Sequence, residues 1–362
     1  TREATWSPTN PRDAITTPQP KLAADAPLQD KLLALLGHPN IASKHWVVRQ
    51  YDHEVQGSSV VKPLVGPEQD GPSDAAVVRP KLDSNKAISL SNGMAPHLGE
   101  KANHTGTATD GDSYQMVLHA IDEAVRNAVC VGADPQYIAI LDNFCWAKCD
   151  DPWQLGTLVR AAEACYDGAM AFQTPYVSGK DSLSNQFTAE DGKLITIPQT
   201  MLISALGIVN DATKARTMDA KSAGNALFVV GLTTPDMGGS HLNQLTGDPD
   251  NIPKADLVAG PRNAKAVAKL IDERLIQSAH DCSDGGLLVA AAEMAFAGRI
   301  GLDIDLAGIP NEICLPEQLC FAETPSRYLL EVHPDHTGQV IEHLLKAGVP
   351  FGQVGTFADH QN

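Results

Sequence analysis

Apolar positions along this chain recur with two periods, one helical and one extended. Val117, Ala120, Ile121, Ala124 and Ala128 share one helical face behind the capping residues of Gly111-Asp112-Ser113, and Gly132 supplies the stop. The same spacing in Leu155, Leu158, Val159, Ala162 and Cys165 predicts a second helix over roughly 153–172. A short helix is predicted over 29–36 (QDKLLALL). YIAILDN (137–143) is a continuous apolar run closing on Asp142 and Asn143, the pattern of a buried strand that delivers polar groups at its C-terminal end. WVVRQYD reads as a strand-like lead into YDHEVQGSSVVKPL, and DAAVVRP as a short β segment after the turn-rich PEQDGPS. TPYVSGKDSLSN reads as a strand and a polar turn, and ITIPQTMLISALGIV (195–209) as a strand pair. The polar NDATKARTMDAKSAGN then marks a domain boundary near 210–225. Beyond it ALFVVGL, a helix around 261–276, SAHDCSDGGLL with its helix, RYLLEV, a helix around 335–347 and FGQVGTF alternate as an α/β domain does.

A chain of 362 residues, 43% apolar, is long enough for two domains with separate cores. Its 44 acidic and 27 basic residues give a net charge of −17, which speaks against nucleic acid and anionic membrane as partners. An anionic small ligand would need local help from helix N-termini, a few basic side chains or a bound cation. No apolar stretch approaches the roughly 20 residues that span a bilayer. Seven cysteines lie scattered in apolar context, which excludes a disulfide framework and points to a reducing, cytoplasmic location. Cys145 and Cys149 have no second pair at zinc-ribbon distance and read as partly buried thiols. Asn103-His104-Thr105 matches a glycosylation sequon, which carries little weight in a cytosolic protein. The chain starts at Thr1, and residues 1–28 are rich in Pro, Thr and Ala, as a linker is.

Candidate chemistry concentrates at the ends of elements. In SAHDCSDGGL (278–287) a histidine, two aspartates and two serines crowd one strand-to-helix turn. The glycine pair lets backbone come close, and the helix start offers free N–H groups to an anion, so a nucleotide phosphate with its metal is the first hypothesis. Asp74, Glu123, Asn127 and Asp281 also fall at element ends or on one helix face, Glu123 and Asn127 one turn apart. Oxygen-only ligands of this kind suit Mg²⁺; each, taken singly, also fits a cap or a solvated surface group. SGKDSLSN (178–185) fails as a P-loop, because Thr174 stands where glycine is needed and Asp181 follows the lysine. Lys180 can still meet a phosphate as a point charge, or sit in an ordinary exposed turn. His53 and His280 are the general-base candidates by type, His280 the stronger through its neighbours. No Gly-x-Ser-x-Gly or His-Glu-x-x-His motif is present.

YDHEVQGSSVV, GPSDAAVV, EAVRNAVCVGADP, ILDN, TPYVSGKDSLSN, SAHDCSDGGL and ETPSRYLLEV, in this order, resemble the C-terminal half of the phosphoribosylformylglycinamidine synthase family, especially its small bacterial form. The resemblance covers roughly residues 45–358. It implies an AIR synthase-like α/β (α+β) tandem: an N-terminal α/β domain over 45–215 that contributes strands to a pseudo-dimeric β-barrel, and a C-terminal α/β domain over 220–362. Residues 1–44 then form a linker and short helix between halves. The implied activity is ATP-dependent amidation of formylglycinamide ribonucleotide in purine biosynthesis, with ammonia from a separate glutaminase subunit and with a small accessory subunit in the complex. By resemblance, Asp74, Glu123, Asn127 and Asp281 hold magnesium at an auxiliary ADP site, and Ser283 touches that nucleotide. Asp142 and Gly179 match active-site ATP positions, and Ser182 matches a substrate contact. Lys180 stands where relatives often have a magnesium-ligating asparagine. An ammonium cannot ligate magnesium, so a phosphate contact is expected there. His53 sits in the counterpart of the first half's catalytic-histidine segment, as a relic or structural side chain. The catalytic histidine would belong to the N-terminal half, so this chain alone is expected not to turn over. Two other readings are a self-sufficient homodimeric synthetase or kinase of the same superfamily, and a purely structural nucleotide-binding module.

Overall fold

A computed structural model describes residues 3–5, 21–99, 111–247 and 250–360. The sequon at Asn103 lies outside the described residues. Two sheets organise the chain. The first has six strands in the spatial order Ser59–Val61, Ala76–Val78, Ala87–Met94, Thr200–Val209, Ile138–Cys145 and Tyr176–Ser182. All neighbours are antiparallel except the last pair. That parallel pair is joined by the Pro152–Phe172 helix, as a βαβ crossover requires. The Ser113–Cys130 helix lies on the same face, its first turn capped by Asp112, which accepts from Tyr114 N (2.9 Å).

The Ala87–Met94 strand carries no strand signal in the sequence reading, because its amphipathicity is inverted. Ser89, Ser91 and Gly93 face inward, while Leu90 and Met94 face out. The inward residues must be small: Ser91 Oγ donates to Ala124 O (2.7 Å), and a side chain at Gly93 would collide with the Ala120 carbonyl. Helix and sheet therefore approach closely, which brings Glu123 against the strand, where it accepts from Met94 N (2.8 Å).

The second sheet orders Ser278–Asp281, Tyr328–Val332, Ala226–Val230, Phe351–Ala358 and Gly301–Ile304, all antiparallel. Strands and helices alternate here as expected, and the sheet they build is antiparallel throughout. The Ala259–Asp272, Gly286–Gly298 and Thr337–Ala347 helices accompany it. Two sequence readings need correction. WVVRQYD is no strand: His45–Val48 is a single helical turn with Trp46 and Val47 exposed, so no neighbouring strand pairs with it. The pair read at 195–209 divides, because Leu194–Thr196 closes a hairpin with Gln186–Thr188 while Thr200–Val209 joins the six-stranded sheet.

Of the segment read as linker and short helix, residues 21–44 pack onto the second domain. Leu22, Leu32, Leu35, Leu36 and Ile41 meet Leu242, Leu245, Val289 and Phe321 in a small core of their own. Lys31 is buried there, paired with Glu317. Residues 36–44 thereby become a wall of the cavity described next.

Candidate functional site

A cavity of about 910 Å³ lies between the two sheets' domains. Asp74 enters it from the loop before Ala76–Val78, Glu123 from the Ser113–Cys130 helix, and Asp281 and Ser283 from the turn after Ser278–Asp281. Leu36, Ile41, Pro63, Leu64 and Phe296 supply apolar walls. Asn127 is buried one turn beyond Glu123, and its side-chain amide donates to the backbone carbonyl of Asn92 (3.0 Å), a residue of the cavity lining. Carboxylates separated by up to about two hundred residues are thus gathered by the contact between the domains.

The centre of the cluster is His280. Its Nδ1 lies 2.8 Å from Asp74 Oδ1 and its Nε2 lies 3.1 Å from Glu293 Oε2. Burial alone would lower the pKa of this imidazole, but Asp74 and Glu293 outweigh it and hold the ring well above its ordinary value, as an imidazolium. A ring committed between two carboxylates is no general base, which corrects the stronger of the two histidine candidates. His53 is placed elsewhere: it stays in the loop before Ser59–Val61, 3.7 Å from Glu54, and does not line the cavity.

Asp74 Oδ1 also accepts from Asp281 N (3.0 Å), while Asp74 Oδ2 is buried with no partner among the described residues. The Asp74 and Asp281 carboxylates bring oxygens within 4.8 Å of each other beside His280, whose protonated ring has no lone pair for a metal. Burial first, then the Asp284 and Asp281 carboxylates, push the Glu123 pKa well above its ordinary range. Asp284 is lifted to about 6, chiefly by burial, with His241 opposing. The cavity lining holds Asp70, Asp74, Glu123, Asp281, Asp284 and Glu293 against only Lys44 and Arg299 as permanent cations. An orphaned buried carboxylate oxygen inside such a cluster fits a hard divalent cation with oxygen ligands.

Arg126 links this cluster to the domain contact. Its Nη2 donates to Ser283 Oγ (2.6 Å) and lies 3.5 Å from Asp281 Oδ2, and Ser283 Oγ donates to Asp281. Its Nη1 pairs with Asp122, which accepts from Ser326 N (2.9 Å) and Ser326 Oγ (2.5 Å) on the second domain. Sequence reasoning missed Asp122, Arg126 and Glu293. The signal was present in the spacing: Asp122 and Arg126 stand four apart beside Glu123 and Asn127, and Glu293 falls on the cavity face of its helix with Ala290 and Ala297. Of the amides at the helix start, those of Gly285 and Gly286 are engaged within the protein. Gly285 N donates to Glu323 Oε1 (2.7 Å) and Gly286 N to Ser283 O (2.9 Å), so these two hold the turn rather than an anion.

The second set of candidates lies apart from the cavity. Asp142 pairs in register with Gly179, Asn143 with Lys180, and Cys145 with Ser182. Alternation puts Lys180 and Ser182 on one side of their strand, where the ammonium donates to Ser182 Oγ, and Gly179 on the other. Burial raises the Asp142 pKa, while the Lys180 backbone N–H opposes.

Comparison with known proteins places this geometry. Residues 72–209 match the family described as AIR synthase related protein, N-terminal domain, and residues 222–362 match its C-terminal domain. The chain belongs to the AIR synthase-related family. This AIR synthase-related chain is 34% identical over 333 residues to the phosphoribosylformylglycinamidine synthase subunit PurL of Rhodopseudomonas palustris, covering 91% of the chain and 41% of that relative. It is 35% identical over 358 residues to the PurL of Alkaliphilus metalliredigens, covering 95% and 42%. The chain thus spans about two fifths of the length of these relatives. Among solved structures, T. maritima PurL complexed with ATP matches with a TM-score of 0.65 at 16% identity, covering 92% of this chain and 48% of that one. Thiamine-monophosphate kinase from Stenotrophomonas maltophilia matches with a TM-score of 0.53 at 13% identity, covering 94% and 96%. At these identities the structural matches speak for the fold alone.

Proposed function

We propose that this chain is the C-terminal half of a phosphoribosylformylglycinamidine synthase, and that its interdomain cavity is an auxiliary Mg²⁺-nucleotide site. The observation that carries this is the convergence of Asp74, Glu123 and Asp281 from both domains on one cavity, with Asp74 Oδ2 buried and unpartnered among the described residues. Asp74, Glu123, Asn127 and Asp281 would hold the ion, and Ser283 would touch the nucleotide. A bound divalent ion supplies neutralisation of phosphate charge, without which this acidic cavity repels ADP or ATP. The apolar wall of Leu36, Ile41 and Leu64 gives a base an apolar surface to stack on.

In the reaction of the whole enzyme, ATP phosphorylates the amide oxygen of formylglycinamide ribonucleotide, ammonia adds at that carbon, and phosphate leaves. The products are formylglycinamidine ribonucleotide, ADP and phosphate. Such chemistry needs positioning and charge neutralisation more than a protein nucleophile. Asp142, Gly179 and Lys180 are assigned to the active-site ATP and Ser182 to substrate. The catalytic histidine belongs to the N-terminal half, and ammonia to a glutaminase subunit, with a small accessory subunit completing a cytoplasmic complex. Among the described residues no helix is long and apolar enough to cross a membrane. The open outer face of the six-stranded sheet supports the missing half: Leu90, Met94 and Leu206 are 48%, 46% and 41% exposed on adjacent strands.

The test is thermal unfolding with and without Mg–ADP. At about a hundredfold excess over its dissociation constant the nucleotide should stabilise the chain by about 2.7 kcal/mol, a shift of several degrees. Asp281→Asn should abolish that shift, and an unchanged melting curve for the parent chain overturns the reading. The alternative is a self-sufficient homodimeric synthetase or kinase of the same superfamily. ATP turnover by this chain alone, without an N-terminal half, selects that alternative. Nucleotide-dependent stabilisation with no activity in the reconstituted enzyme selects a structural nucleotide-binding module.

A further inference from the structure

Glu323, Thr324, Ser326, Arg327 and Glu331 form a buried polar run leading into and along the Tyr328–Val332 strand. Most of it is spent on the domain's own backbone and side chains. Glu331 accepts from Lys221 N (2.9 Å), Ser222 N (3.0 Å), Asn225 Nδ2 (2.6 Å) and Ser278 Oγ (2.8 Å), and Arg327 Nε donates to Thr324 O (2.9 Å). Glu323 is different because it reaches the turn that carries Ser283. Its Oε1 accepts from Gly285 N (2.7 Å), His241 N (2.9 Å) and His241 Nδ1 (2.9 Å). His241 is fully buried at the start of the His241–Thr246 helix, and its Nε2 stands 3.8 Å from Asp284 Oδ2.

The turn needs such a hold. Gly285 and Gly286 lie at φ +80° and +76°, and a side chain at Gly286 would stand 2.6 Å from the Phe321 carbonyl carbon. Two successive glycines in the left-handed region cost much conformational entropy to fix. A carboxylate accepting from the Gly285 amide offsets that cost with a charge-assisted bond. It does so without itself lining the large cavity that Ser283 and Asp284 line.

We propose that Glu323, neutralised by His241, is a positioning residue: it fixes the Ser283–Gly286 turn so that Ser283 and Asp284 are presented to the nucleotide in the cavity. The nucleotide part rests on the function proposed above, while the turn part stands on its own. Amide hydrogen exchange at Gly285, followed by NMR without nucleotide, tests the turn. Glu323→Ala should speed that exchange about tenfold or more, and Glu323→Gln, whose amide oxygen still accepts, should restore most of the protection. Glu323→Asp keeps the charge beside His241 but draws the oxygens back by one methylene, so it should also lose protection, and it serves should the alanine variant not fold. Mg–ADP titration of the same variants should show affinity falling about tenfold in Glu323→Ala and largely recovering in Glu323→Gln. Gly285 exchange in Glu323→Ala and Glu323→Asp equal to the parent overturns the proposal. So does a parent that binds Mg–ADP no more tightly than Glu323→Ala. A parent that does not bind Mg–ADP at all overturns the function proposed above, and Gly285 exchange then decides the turn by itself.

Discussion

In the C-terminal sheet every residue of Ala226–Val230 and of Tyr328–Val332 is buried, whereas in the N-terminal sheet Ala87–Met94 and Thr200–Val209 each bury one side and leave the other more open. Along Thr200–Val209, Met201, Ile203, Ala205 and Val209 point to the helices, and Leu206 points away from them. Leu206 pairs with Leu90 and with Ala139, and Leu202 pairs with Met94, so the open side carries apolar pairs on either side of the polar pair Ser204 and Asn92. A sheet that is satisfied on both sides is a finished domain. One that shows leucine and methionine to water on two adjacent strands is shaped for another sheet or a second half. The continuous apolar run at 137–143 has the same origin: Ile138 and Ile140 are buried under the helices, while Ala139 and Leu141 belong to the open side.

The strongest way to break this contrast is to truncate one leucine from each sheet. Leu329→Ala, in the fully buried strand, should cost about 3 kcal/mol in urea unfolding of the isolated chain, as buried leucine truncations do. Leu206→Ala should cost less than about 0.5 kcal/mol, because its side chain is already in contact with water. Equal losses at the two positions would show that the open side is covered in solution by something the chain itself supplies.

Association sharpens the same contrast. Leu206→Lys should leave the melting temperature of the isolated chain nearly unchanged, yet weaken its complex with an N-terminal half about tenfold or more, since it places a charge at the centre of an apolar interface. Sedimentation of mixed halves reads this directly. Unaltered association would move the interface away from this sheet.

How much of this was legible in the sequence depended on whether a residue's reason was local. The Ser113–Cys130 and Pro152–Phe172 helices were, because caps and apolar stripe sit within the element. The Ala87–Met94 strand was not: its buried side is Ser89, Ser91 and Gly93, chosen for close approach to Ala120 and Ala124, which only the packed helix explains. Asp74, Glu123 and Asp281 were singled out by type and position, but their meeting depends on how one domain seats on the other. Glu293 and Arg126 escaped notice since each lies mid-helix, without the turn or glycine that marks Asp281. His280 was legible as important, but its place between two carboxylates was not, because Asp74 reaches it only through the fold and Glu293 carries no mark in the sequence.

The smallest expected effect is a pH term confined to the C-terminal domain. Burial alone would lower the His241 pKa, but Glu323 outweighs it and lifts the ring to about 9; burial would raise Glu323, but His241 holds it at about 2. Asp284, His97 and His38 also face the ring, Asp284 adding to the lift. A histidine raised in the folded state contributes stability that is complete below its unfolded pKa near 6.5 and is lost as pH rises through about 9. Glu323, lowered, contributes stability present above about 4.5 and lost as pH falls through about 2. Unfolding free energy should therefore drop by about 1 kcal/mol between pH 7 and pH 8. That drop is His241's share; His280, whose ring Asp74 and Glu293 also raise, adds a share of its own, so His241→Gln should reduce the slope without abolishing it. A slope equal to the parent's in His241→Gln would assign the titration to another group and leave Glu323 without its buried counter-ion.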